Sequence, residues 1–130
     1  MLLQILIRVA VVMMLTAIPL RAGQVTIADG VYTEQQADAG EQLYEVHCLT
    51  CHDKRYFRPV LKRWEGQPLS ILYTIMSTSM PESNPGALTR QEYVEILAYI
   101  LSLSRYPSGD SELEYEDDAL AGITVAPRKR

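Results

Sequence analysis

The sequence predicts an all-α domain, and three observations carry the prediction. Apolar residues recur at spacings of three and four, most cleanly at Tyr93, Ile96, Leu97, Ile100 and Leu101, which lines one face of a helix. Two capping boxes mark helix starts, Thr33 with Gln36 and Thr89 with Glu92. No region is rich in strand signals, and there is no internal repeat and no glycine-rich phosphate loop.

The first helix opens at Thr33, with Glu34 suiting the positive end of its dipole. Ala37, Gly40, Tyr44 and Cys48 follow at helical spacing, with Leu43 beside them. Glycine inside a helix costs about 1 kcal/mol against alanine. A close helix crossing at Gly40, with Tyr44 packed one turn on, compensates; a tolerated surface glycine is the alternative. Pro68 suits the first turn of a second helix, whose buried stripe is Leu69, Leu72, Tyr73 and Met76. Pro81, Asn84, Pro85 and Gly86 then make a stiff loop, Thr89 opens the last helix, and Tyr106-Pro107-Ser108-Gly109 stops it.

The 130 residues suit a single small domain. Residues 1–22 have the order of a secretory signal peptide: a short start carrying Arg8, an apolar run from Val9 to Leu20, and a small residue at Ala22. Cleavage after Ala22 or Gly23 is expected. An uncleaved anchor is the competing reading, but about twelve apolar residues fall short of the ~20 that span a bilayer. Residues 23–109 then form the domain. Residues 110–130 form an acidic tail, solvated over Asp110–Asp118, whose Leu120, Ile123 and Val125 can fold back. Without Arg8 and Arg21 the basic count falls from 12 to 10 against 16 acids, a net charge of −6. Such a chain is a poor nucleic-acid binder, even though Lys54, Arg55, Arg58, Lys62 and Arg63 lie among Tyr56, Phe57 and Trp64.

Cys48-Leu49-Thr50-Cys51-His52 is a C-x-x-C-H sequence, the attachment pattern of a c-type haem. Each cysteine can form a thioether with a haem vinyl group, and His52 follows at once as a proximal iron ligand. These are the only two cysteines. A thioredoxin-type disulfide would want a βαβ setting that is absent here. A zinc site would need more ligands than His47, the one other histidine, can supply. The carbonyl of Pro59 is a candidate acceptor for the outer N–H of His52. Export and haem attachment support each other, because c-type haem is attached outside the cytoplasm.

The sixth iron position separates an electron carrier from a ligand binder. Beyond the signal, the methionines are Met76 and Met80. A thioether favours reduced iron and raises the potential. Met76 lies on the buried stripe, whereas Met80 begins the proline-stiffened loop and is the better distal ligand.

Together, Gly40 and Tyr44, the C-x-x-C-H run, Met80-Pro81 and the helix with Ile96 and Tyr99 resemble a class I cytochrome c over roughly Gly30 to Gly109. The stretch Met80-Pro81, Asn84-Pro85-Gly86-Ala87-Leu88-Thr89, Tyr93, Ala98 to Leu101 and Tyr106 to Gly109 is similar to small periplasmic cytochromes that serve quinoprotein (PQQ) dehydrogenases. The resemblance implies three to four helices wrapped around one covalently attached haem c, with the first and last crossing near Gly40. It implies Cys48 and Cys51 as thioether donors, and His52 and Met80 as iron ligands. The segment from His52 to Trp64 departs from the family, being shorter and poorer in glycine than in many relatives. The expected function is a periplasmic one-electron carrier rather than an enzyme. Its donor is a periplasmic dehydrogenase, its acceptor a terminal oxidase or another cytochrome, and it has no stable membrane span after cleavage. A haem-based ligand sensor or a cytochrome subunit of a dehydrogenase complex is the alternative.

Overall fold

Both capping boxes form. Thr33 Oγ1 accepts from the Gln36 amide at 3.2 Å, and Gln36 Oε1 accepts from the Thr33 amide at 3.4 Å, starting α1 (Glu34–His47). Thr89 and Glu92 do the same at 3.2 and 2.7 Å. The structure, a computed structural model, describes residues 23–127, so the expected signal peptide lies outside the described residues. The described chain runs β1 (Val25–Thr26), α1, α2 (Phe57–Arg63), α3 (Leu69–Ser79), α4 (Arg90–Leu103), α5 (Asp117–Ala121) and β2 (Ile123–Thr124). The only sheet among these residues is the two-residue parallel pair β1–β2, with Val25 opposite Ile123. The fold is all-α, as expected.

The three long helices lie where the periodicity puts them. Pro68 precedes α3 as an extended N-cap rather than opening its first turn. Two short helices exceed the three to four expected: α2 occupies the basic stretch after the C-x-x-C-H run, and α5 lies in the tail. Gly40 is the crossing point. A Cβ built there would collide with the backbone carbonyl of Glu95, so α1 and α4 touch main chain to main chain. From Tyr93 to Leu101 only Glu95 escapes burial in α4. One apolar face does not explain this. α4 is enclosed because α1, α2 and α3 all pack against it.

The tail is not separate from the domain. Its six acids between Asp110 and Asp118 are exposed, as expected, but Leu113, Leu120 and Val125 are buried in the same core as Ile27 and Tyr32. The anchor is Gln36: its Nε2 donates to the Leu113 carbonyl at 2.9 Å, and its Oε1 accepts from the Leu113 amide at 2.7 Å. The Gly109 amide donates to the Tyr32 carbonyl at 2.7 Å, and Tyr32 Oη donates to the Tyr106 carbonyl at 2.6 Å. Gly109 lies against Gly30 too closely for any side chain. The alternation Glu112-Leu113-Glu114-Tyr115-Glu116 is the signal for this: an extended segment turns its apolar residues inward and its acids outward.

Candidate haem site

After His47 the chain keeps turning. The amides of Cys48 and Leu49 both donate to the Tyr44 carbonyl at 2.9 Å, and those of Cys51 and His52 both donate to the Cys48 carbonyl at 3.1 and 2.9 Å. Cys48, Cys51 and His52 are thereby held in one compact turn. Both thiols are free, Cys48 half-buried and Cys51 exposed. Burial pushes the Cys48 thiol up to about 11, so it is protonated at neutral pH. Redox-active C-x-x-C pairs do the opposite, holding a thiolate at lowered pKa. Among the described residues no cluster of three or more His, Cys, Asp or Glu side chains could hold a metal ion, which leaves a zinc site short of ligands.

The backbone of His52 is fixed from below. Tyr44 Oη donates to the His52 carbonyl at 2.9 Å and to the Asp53 carbonyl at 3.3 Å. Its ring is fully buried, edge-on to Tyr99 with centroids 5.4 Å apart. That burial raises the Tyr44 pKa strongly, so the phenol stays a donor. Lys54 ties the next residues down, reaching Glu41 at 3.1 Å and Glu45 at 3.5 Å, while Tyr99 donates to the same Glu41 oxygen at 2.8 Å. The Tyr99 and Lys54 hydrogen bonds lower the Glu41 pKa.

The His52 ring packs on Tyr56 at 4.3 Å and near Phe57 at 5.6 Å, and its Nδ1 is buried without a hydrogen-bond partner among the described residues. Pro59 is not that partner. It lies inside α2, where helical geometry directs its carbonyl along the axis toward the amide four residues on. Two free thiols in one turn with His52, beside an aromatic wall, fit a c-type haem. Leu49 and Tyr56 by the motif, and Ile71 and Ile75 one turn apart on α3, are exposed apolar groups suited to a porphyrin.

Met80 caps α3, its amide donating to the Met76 carbonyl at 3.0 Å. Its own carbonyl accepts from Tyr93 Oη at 2.5 Å and from the Gly86 amide at 3.4 Å, closing the loop 80–86. Met80 is half-buried against the core, whereas Met76 lies within it. The turn thus joins Cys48, Cys51 and His52, and Met80 stands on a separate loop tied to α4. The sequence shows Tyr44 and Tyr93 only as apolar positions; their hydroxyl contacts depend on tertiary packing that spacing does not report.

The family model described as cytochrome C oxidase, cbb3-type, subunit III matches residues 35–100, just over half of the chain. No curated protein and no solved structure matches it. The matched span runs from the first turn of α1 through the C-x-x-C-H turn and the Met80 loop into α4. The chain therefore belongs to this family of class I c-type cytochrome domains, proteins of haem-based electron transfer.

Proposed function

We propose that the chain is a periplasmic one-electron carrier with a single haem c, joined through Cys48 and Cys51 and ligated by His52 and Met80. It accepts electrons from a quinoprotein dehydrogenase and passes them to a terminal oxidase or another cytochrome. The observation that carries the reading is the turn in which both free thiols and His52 hang from two backbone carbonyls, Tyr44 and Cys48. When bound, haem supplies a one-electron iron couple. The imidazole of His52 and the thioether of Met80 offer one nitrogen and one soft sulfur donor, a pair that favours the reduced state. Tyr44 holds the backbone of His52 in place, and the aromatic rings of Tyr56 and Phe57 shield its imidazole from water. The Met80-to-Gly109 resemblance supports the quinoprotein donor. The family's description as an oxidase subunit supports the oxidase end of the route.

One C-x-x-C-H implies one thioether-linked haem. Mass spectrometry of holoprotein after acid–acetone extraction is expected to retain the mass of one haem. Loss of that mass would refute covalent attachment.

Docking is expected at the basic segment around α2. Lys54 is committed to Glu41 and Glu45, and Arg58 Nε donates to the Leu103 carbonyl at 3.2 Å. Arg55, Lys62 and Arg63 are exposed and remain for a partner. A carrier needs a small, transient interface, and charge at its rim acts chiefly on the association rate. Arg55→Glu with Lys62→Glu is expected to slow reduction by a quinoprotein dehydrogenase at least tenfold at low salt, an order-of-magnitude figure for electrostatic steering. Stopped-flow rates insensitive to both salt and the reversals would rule this docking face out.

A further inference from the structure

We propose that Tyr93 is the positioning residue of the sixth-ligand loop: its phenol holds the Met80 carbonyl, and with it the loop, closed on α4. The inference rests on the His52/Met80 reading above. Tyr93 Oη donates to the Met80 carbonyl at 2.5 Å, across thirteen residues. The phenol projects from a rigid start. Tyr93 is 3% exposed, its amide donates to the Thr89 carbonyl at 3.1 Å, and the Thr89–Glu92 box fixes that end of α4.

The loop itself has little else to hold it. Residues 82–87 are all exposed, so burial does not seat them. Asn84 N to the Pro81 carbonyl, at 2.9 Å, and Ala87 N to the Asn84 carbonyl, at 3.3 Å, are turns within the loop and do not attach it to the core. At its start, Met80 and Pro81 are half-buried, and among the described residues the Met80 carbonyl receives one other donor, the Gly86 amide at the long distance of 3.4 Å. The Met80 amide ties back to Met76 in α3, and the Tyr93 hydroxyl is therefore the short polar link between the residue bearing the sulfur and α4. A methionine sulfur is a weak, neutral donor, so its occupancy of the iron depends on how often the loop is closed.

The test reads that closed fraction. External imidazole competes for ferric iron only when Met80 has left, so its apparent affinity scales with the open population. Tyr93→Phe keeps the buried ring and removes the hydroxyl. One buried hydrogen bond lost predicts about a tenfold gain in imidazole affinity for the ferric holoprotein. Tyr73→Phe is the control: Tyr73 is 5% exposed on α3, and its hydroxyl has no hydrogen-bond partner among the described residues. It is expected to leave imidazole affinity within twofold of the unmodified protein. A purely structural role would lower the melting temperature without this selective gain. The proposal is overturned if Tyr93→Phe leaves the affinity unchanged, or if Tyr73→Phe raises it as much. Met80→Ala separates the two readings. If it abolishes the weak far-red iron–sulfur band while Tyr93→Phe is silent, only the Tyr93 role fails. If the band survives Met80→Ala, the ligation reading fails and takes the Tyr93 role with it.

Discussion

Replacing Met80 with alanine is expected to open the sixth iron position of the holoprotein. The reduced form will bind carbon monoxide, the far-red iron–sulfur band of the oxidised form will vanish, and the reduction potential will fall, because the soft donor that favours reduced iron is gone. The neighbouring methionine gives the contrast. Met76 is 8% exposed, one turn back on α3 and packed among Leu72 and Tyr73. Met76→Ala removes core volume and is expected to cost about 2–5 kcal/mol of stability while leaving the band and the carbon monoxide resistance intact. Absorption spectra of the two variants decide between them. If Met76→Ala removes the band and Met80→Ala does not, the two methionines exchange roles.

Gly40→Ala is expected to destabilise the domain, against the ordinary rule for helices. At an exposed position in a helix, alanine gains about 1 kcal/mol over glycine. Here the added methyl lands on the Glu95 backbone carbonyl, with the Ile96 amide behind it at 3.0 Å, and neither can rotate away as a side chain would. α1 and α4 must part, which loosens the packing of Tyr44 on Tyr99 as well. Overpacking of this kind costs about 3 kcal/mol. A domain of this size should lose roughly 15 °C in melting temperature. Thermal melts of the holoprotein test the sign: a melting temperature that holds or rises would mean the helices can separate without cost.

Much of this architecture is written locally in the chain. A capping box joins residues three apart, so Thr33 with Gln36 and Thr89 with Glu92 can be read without knowing the fold, and both form. Gly40 is legible because its propensity cost demands a reason, and the crossing supplies it. The C-x-x-C-H run is equally local. What escapes is whatever depends on distant partners. Gln36 reads as a helix cap, yet its amide also pairs with both backbone groups of Leu113, 77 positions away. The acids around Leu113 hide an anchor behind a charge pattern, so the segment reads as tail when it is wall. Pro59 fails as an acceptor for a related reason: the basic stretch around it folds into a short helix that its composition does not announce.

The closing of the two ends of the described segment on each other has a consequence for the order of folding. Gln24 reaches Thr124 across 100 positions, and Tyr32 reaches Tyr106 across 74. Helical domains fold fast when their contacts are local, but these seals join the two ends of the described residues, and their loop-closure entropy must be met before they form. The turn around Cys48 and Cys51 needs nothing beyond Tyr44, a few residues upstream. As the polypeptide emerges from its N-terminus, that turn can therefore form while Val125 and the strand it follows are still unmade. The motif can thus be complete before the long-range contacts that close the domain have formed.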